Sequence, residues 1–178
     1  SAYQGHDLTP HQIADLACAI EIDRLGAPIG RQDQYAAAFG GLNSIRFEAS
    51  GTTVEPVPLA PAVRSALESN LLLFFTGATR SANTILAEQR EASREGPAVA
   101  SLHTIKQLAV EARRLLEAGR LADFGALLDT SWQEKRRLAK GISNPRIDGL
   151  YELARRQPEL STGDVDGMIA EARAQGSL

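Results

Sequence analysis

The sequence is poor in the residue types that mark several large classes of protein. Its 178 residues include one cysteine, three histidines and 5% aromatic residues. The single cysteine, Cys18, excludes an intramolecular disulfide, and the histidines share no ligand spacing that would indicate a zinc site. No apolar run approaches the roughly 20 residues of a membrane span. The opening segment, SAYQGHDLTP, lacks the basic and apolar regions of a signal peptide.

Charge of either sign is not in large excess. The formal net charge is −3, and basic residues alternate with acidic ones in segments such as REASREG and QEKRRLAKG. This pattern is typical of solvated helix faces and gives no nucleic-acid or membrane footprint. We therefore expect a cytoplasmic protein, in which Cys18 is a small buried apolar residue.

The first 60 residues show helix signals followed by a hairpin signal. Thr9 and Pro10, with a glutamine three positions after the threonine, predict a capped helix start. A glycine pair ends the second helical pattern, and short alternating segments flank a turn. The predicted elements are helices over 10–25 and 30–39 and strands over 44–48 and 52–57.

After a proline-rich junction near Pro58 and Pro61, the sequence becomes mostly helical. Leu71 to Phe75 predicts a buried strand. Apolar stripes then predict helices over 102–116 and 121–132, and capping signals predict further helices after Ser143 and after Ser161. The fold class is therefore α+β and rich in helix.

Asp33 is the first candidate for chemistry. It lies in the first turn of the second predicted helix, where the helix dipole favours a carboxylate. Held ionised there beside Arg31, it could accept a proton from a hydroxyl that attacks a phosphate. Acids in first turns are also routine, so an ordinary role at the start of a helix stays open.

Glu21 is the second candidate, because it lies near the end of the first predicted helix, where the dipole disfavours an anion. Its position calls for a partner, either a divalent metal or a cation such as Arg24 or Arg31. A surface glutamate is the alternative. Thr76 to Ser81, with Arg80, follows the predicted strand and could bind a phosphate or could be a plain turn.

Several of these segments resemble a known family. Gly30 to Asn43, GRQDQYAAAFGGLN, contains the G-x-x-D-Q core of the GHMP sugar kinases. LLLFFTGATRSANTILAEQ, LHTIK from Leu102 and GISNPRID from Gly141 are similar to segments of the D-glycero-D-manno-heptose 7-phosphate kinases. The resemblance covers about Thr9 to Ala154.

The resemblance implies a fold and roles for individual residues. It implies the end of an S5-like N-terminal domain over 1–60 and a helix-rich C-terminal domain over 61–178, incomplete at both ends. Asp33 would activate the acceptor hydroxyl, and Glu21 would help to hold Mg²⁺. The remaining residues that it implies bind substrate are Gly30, Arg31, Gln32, Tyr35, Gly40, Gly41 and Arg80.

The implied function is an ATP-dependent kinase that phosphorylates heptose 7-phosphate at its anomeric hydroxyl. No stretch of the chain matches the family's Gly/Ser-rich loop that wraps ATP, so no nucleotide-binding residue is assigned. We therefore expect the 178 residues alone to be inactive and to self-associate through exposed apolar surface. The alternatives are a kinase for galactose or fucose, and a non-catalytic helical interaction remnant.

Overall fold

A computed structural model describes residues 7–73, 82–93 and 96–156. Within these ranges the structure consists of helices and one two-stranded hairpin, which confirms the expected helix-rich α+β class. The helices and strands are α1 Pro10–Cys18, α2 Gln32–Phe39, β1 Asn43–Glu48, β2 Gly51–Pro56, α3 Pro61–Ser69, α4 Ala82–Ala92, α5 Pro97–Glu117, α6 Leu121–Arg136 and α7 Pro145–Arg156.

The first helix begins as its sequence predicts. Thr9 Oγ1 accepts from the Gln12 backbone N–H at 3.3 Å, and Gln12 Oε1 accepts from the Thr9 N–H at 2.8 Å. The helix continues to residue 24, but Ala19–Arg24 is a π-helix. There the Leu25 N–H donates to the Ile20 carbonyl, five residues back, at 3.0 Å. The sequence predicted the length of this helix but not its wider last turn, a feature frequent at functional sites.

The hairpin follows α2 through a left-handed turn. Gly40 and Gly41 have φ values of +61° and +70°, a region that side chains with a Cβ rarely adopt. β1 and β2 then pair antiparallel, with Ile45 opposite Val54. Both predicted strands are thus confirmed, each within a residue or two of its expected bounds.

Small residues on α1 let α2 pack closely against it. Ala14, Cys18 and Tyr35 form a buried cluster, which Ile22, Ala38, Phe39, Ile45 and Val54 surround. Cys18 is only 6% exposed, so its predicted burial is confirmed. This cluster fixes the α1–α2 pair to one face of the hairpin.

The segment after the hairpin departs from its prediction. Pro61 occupies the first turn of α3, a helix that we did not predict because prolines dominate the sequence there. Leu71 to Leu73 form no strand, so the prediction is wrong for these residues. They are exposed, and the sheet of the described residues consists of β1 and β2 alone, which leaves them no strand to pair with. Phe74 and Phe75 lie outside the described residues.

The last described helices pack through the predicted apolar stripes. α5 and α6 contact each other across a tight link in which Gly119 has φ +69°. Their core contains Ala98, Leu138 and Ile142, packed against Trp132 and other residues. At the start of α7, Asn144 Oδ1 accepts from a backbone N–H at 2.9 Å, as its capping sequence predicts. The helix predicted after residue 161 lies outside the described residues.

The predicted domain boundary between residues 60 and 61 stays a prediction. One contact does cross it, because Arg113 Nη1 of α5 lies 2.6 Å from Glu55 Oε2 of β2.

Among the residues that the structure describes, no helix combines the length and apolar character needed to cross a bilayer.

Candidate functional site

The packing of α1 against α2 brings Glu21 to the second helix. Glu21 is half-buried in the π-helical turn, and its Oε2 accepts from Gln34 Nε2 at 2.6 Å. Gln34 itself is only 8% exposed. The described partner of Glu21 is therefore an amide, and neither Arg24 nor Arg31, which were alternatives to a metal, pairs with it in the described structure.

Asp33 lies in the first turn of α2 and is exposed. No hydrogen bond or ion pair joins its carboxylate to another residue of the described ranges, Arg31 included. The next residue along the helix, Gln34, points into the core and contacts Glu21. Asp33 thus presents an accessible carboxylate beside the turn that carries the Glu21–Gln34 pair.

Arg31 instead contacts Asp15 of α1. Its Nη2 lies 2.9 Å from Asp15 Oδ1, and the same oxygen accepts from the Tyr35 hydroxyl at 2.5 Å. The guanidinium also lies over the rings of Tyr35 and Phe47, at 5.6 and 5.9 Å from their centroids. This Asp15–Arg31–Tyr35 network ties the loop before α2 to the middle of α1.

The network changes the ionisation of its members. Interaction with the Cys18 side chain first, and the charges of nearby groups such as Asp15 after it, raise the pKa of Arg31 above its usual value, although partial burial opposes this rise. Burial first, and the hydrogen bond to Asp15 second, raise the pKa of the Tyr35 hydroxyl. Both groups therefore keep their proton, and Tyr35 remains a neutral donor to Asp15.

Tyr35 is the most deeply buried large side chain of the described residues, with 1% exposure. Its ring is stacked with Phe39 and meets His11 and Phe47 edge to face. With its hydroxyl occupied by Asp15, this position favours a structural role for Tyr35 over direct contact with a substrate. Direct contact stays a prediction.

The backbone requires glycine at some of the positions assigned to substrate binding and not at others. Gly40 and Gly41 have positive φ, so the backbone conformation itself favours glycine. Gly30 has no such φ, and a Cβ added there would meet nothing within 4 Å. Gly30 and Gln32 are exposed next to Asp33, and Arg80 lies outside the described residues.

Sequence reasoning missed two residues of this arrangement, Gln34 and Asp15. Gln34 was part of the G-x-x-D-Q core but received no role, although its place in that core beside Asp33 could have singled it out. Asp15 adjoins the small residue Ala14 on α1, and nothing local in the sequence indicates that it would receive both Arg31 and Tyr35.

The side chains of this arrangement suit a Mg²⁺ ion only if the ion is also bound by a nucleotide. Among the described residues no group of three or more His, Cys, Asp or Glu side chains could hold a metal ion. Mg²⁺ usually keeps several waters and binds one or two carboxylates together with substrate phosphates. The single half-buried carboxylate of Glu21 fits an ion that arrives with a nucleotide, and it does not fit a cage built from protein ligands.

Comparisons with known proteins agree on one kind of enzyme. The chain is 34% identical over 175 residues to D-glycero-alpha-D-manno-heptose 7-phosphate kinase of Campylobacter jejuni, a match that covers 96% of this chain and 49% of that protein. It is 28% identical over 153 residues to the bifunctional fucokinase/GDP-fucose pyrophosphorylase of Arabidopsis thaliana, covering 83% of this chain and 14% of that protein. No protein-family model matches.

A solved structure shares the fold. The crystal structure of a D-glycero-D-manno-heptose 1-phosphate kinase from Bacteroides thetaiotaomicron matches with a TM-score of 0.60 and 29% identity. The match covers 76% of this chain and 38% of that one. The chain therefore spans about half the length of the heptose 7-phosphate kinase and less of the solved structure.

Proposed function

Because the chain is related to the GHMP-type sugar kinases in both sequence and fold, we propose that it forms part of an ATP-dependent kinase for a phosphorylated heptose. The acceptor would be the anomeric hydroxyl of heptose 7-phosphate. The observation that carries this proposal is the sequence match to a heptose 7-phosphate kinase over 96% of the chain. The geometry of α1 and α2 supports it with two carboxylates in different environments.

Asp33 is the residue that we assign to the acceptor. Its carboxylate is exposed and meets no described cation, so the anomeric hydroxyl can approach it and hand over a proton during attack on the γ-phosphate. It lies in the first turn of α2, at the positive end of the helix dipole. Acid–base assistance of this kind contributes about 10²–10⁴-fold to a rate.

Glu21 is the residue that we assign to Mg²⁺, which when bound would neutralise charge on the nucleotide phosphates. Gln34 occupies Oε2 of Glu21, and no hydrogen bond or ion pair links Oε1 to another residue of the described ranges. Gly30 and Gln32 precede Asp33 closely in the chain and are exposed, so a sugar at Asp33 could contact them. Arg31, held by Asp15, would keep this loop in place.

The acceptor is tested by comparing sugars with the intact protein that carries these residues. The assay measures ADP release with ATP, Mg²⁺ and, in turn, heptose 7-phosphate, unphosphorylated heptose, fucose and galactose. We expect heptose 7-phosphate to give the highest kcat/KM. A preference for fucose or galactose would overturn the acceptor but keep a sugar kinase. ADP release that no sugar increases would overturn the kinase itself.

The isolated 178 residues are proposed to be inactive, because none of their segments matches the Gly/Ser-rich loop that holds ATP phosphates in related kinases. We also propose that they self-associate. α1 and the π-helical turn after it carry an apolar row that stays exposed in the described structure, formed by Ile13, Leu16 and Ile20. Sedimentation velocity at several concentrations should show growing species, whereas a single monomer at every concentration would contradict the proposal.

A further inference from the structure

Gln34 is a polar side chain in a place that suits an apolar one. It is 8% exposed and lies next to Tyr35 on the face of α2 that packs against α1. Its Nε2 donates to Glu21 Oε2 at 2.6 Å, while its own Oε1 is buried and has no hydrogen-bond partner in the described structure. A buried amide with one unpaired atom destabilises a core, so a glutamine at this position needs an explanation. Its hydrogen bond to Glu21 supplies one.

The orientation of this amide follows from the charge of its partner. The nitrogen and oxygen of a glutamine side chain are nearly equal in shape, and their hydrogen-bond partners decide between the two orientations. Turning the amide over would place its oxygen against the carboxylate of Glu21. The contact therefore works in one orientation, with the N–H group toward Glu21.

The position of Glu21 in the backbone indicates what the bond from Gln34 does. Glu21 lies in the π-helical turn Ala19–Arg24, near the C-terminal end of the helix, where the dipole disfavours a carboxylate. No cation of the described residues compensates it. Gln34 is the side chain from outside this helix that fixes where the carboxylate points, and it occupies Oε2 while leaving Oε1 without a described partner.

We propose that Gln34 is a positioning residue, which orients the Glu21 carboxylate toward the Mg²⁺ that accompanies the nucleotide. This inference rests on the proposed function, because it takes Glu21 as a ligand of Mg²⁺. Carboxylates that bind metals are commonly held by hydrogen bonds of this kind, and removing the supporting residue typically weakens metal binding by about 10–100-fold.

The test replaces Gln34 with methionine in the intact protein, which keeps the volume and removes both amide atoms. Mn²⁺ binding is measured by electron paramagnetic resonance in the presence of a non-hydrolysable ATP analogue, so that no turnover is needed. We expect the Kd for Mn²⁺ to rise about 10–100-fold. We also expect excess Mg²⁺ to restore kcat, which a misfolded variant would not show.

A matched control exists in α6. There Gln133 Nε2 donates to Asp129 Oδ1 at 3.3 Å, so Gln133→Met removes the same kind of bond away from the site. This variant should leave the Kd for Mn²⁺ within about twofold of the wild-type value, because Gln133 bonds within α6 and contacts neither Glu21 nor Gln34. An equal loss in both variants would overturn the proposal.

Two further measurements separate the possible failures. If Glu21→Gln abolishes Mn²⁺ binding but Gln34→Met binds normally, the positioning role is wrong and the proposed function stands. If Glu21→Gln also binds normally, the magnesium role of Glu21 fails, and the positioning role with it. If Gln34→Met does not fold, a measurement on the wild-type protein still tests the positioning role. Mn²⁺ with the nucleotide analogue should broaden the Gln34 side-chain amide resonances, and unbroadened resonances at saturation would overturn the proposal.

Discussion

Replacing Tyr35 tests how the α1–α2 site is held together. The ring is 1% exposed and contacts other aromatic rings, whereas its hydroxyl donates to Asp15 at 2.5 Å and accepts from Arg31 Nη2 at 3.5 Å. Truncating a buried aromatic residue to alanine typically costs about 3–5 kcal/mol of unfolding free energy. We expect Tyr35→Ala to fall in that range.

Tyr35→Phe isolates the hydroxyl. The shorter of the two lost bonds runs to a carboxylate, but the Asp15 side chain is 57% exposed and keeps Arg31, so water can replace the missing donor. The longer bond comes from Arg31, which keeps Asp15 as its partner. We therefore expect a cost of about 0.5–1.5 kcal/mol, the range of an ordinary hydrogen bond. Packing should thus outweigh the hydrogen bond by at least about twofold.

Urea unfolding, followed by circular dichroism, measures both variants. Phe47→Ala is the control, because Phe47 is 42% exposed and buries less area, so its cost should be lower than that of Tyr35→Ala. If Tyr35→Ala unfolds the protein outright, Tyr35→Leu supplies the large-to-small comparison. Equal costs for Tyr35→Phe and Tyr35→Ala would refute the argument, since they would make the hydroxyl the main contribution.

Two other predictions concern the backbone and the response to alkaline pH. Gly40→Ala should lower the unfolding free energy by about 1–3 kcal/mol, because φ +61° with ψ 176° is a region that is essentially restricted to glycine. Gly30→Ala should change it by less than about 0.5 kcal/mol, since a Cβ there meets open space, and equal losses in urea unfolding would contradict this. Burial and the hydrogen bond to Asp129 raise the pKa of Tyr151 to about 12. The fold thus favours the protonated hydroxyl, whose stabilising contribution is complete below about pH 10 and is lost as the pH rises through about 12. Tyr151→Phe should lose less stability over that interval, and parallel pH–stability curves for the two proteins would show the argument to be wrong.

The sequence was most informative where local chemistry decides the structure. The capping box at Thr9 and Gln12 predicted the start of α1, and the turn between β1 and β2 predicted the hairpin. The apolar stripes of α5 and α6 likewise located both helices, because apolar residues repeated at helical spacing favour a helix that packs on one side. These features need no knowledge of distant contacts.

The sequence was least informative where partners are distant along the chain. From charge alone, Arg31 was a candidate neighbour for Asp33 or Glu21. In the folded structure Arg31 instead pairs with Asp15, and Glu21 accepts a hydrogen bond from the amide of Gln34. The π-helical turn that carries Glu21 also has no sequence signature that we used. The run from Leu71 to Leu73 looked like a strand because periodicity cannot show whether a neighbouring strand is present.

The direct test of the kinase assignment is the effect of Asp33→Asn on the chemical step. A single-turnover experiment with the intact protein, radiolabelled ATP and heptose 7-phosphate measures phosphoryl transfer apart from product release. Asp123→Asn is the control, because Asp123 occupies the first turn of α6 as Asp33 does in α2. We predict that Asp33→Asn slows transfer by about 10²–10⁴-fold while Asp123→Asn leaves it unchanged. Transfer by Asp33→Asn within about threefold of the wild-type rate, less than the effect of acid–base assistance, would contradict the account.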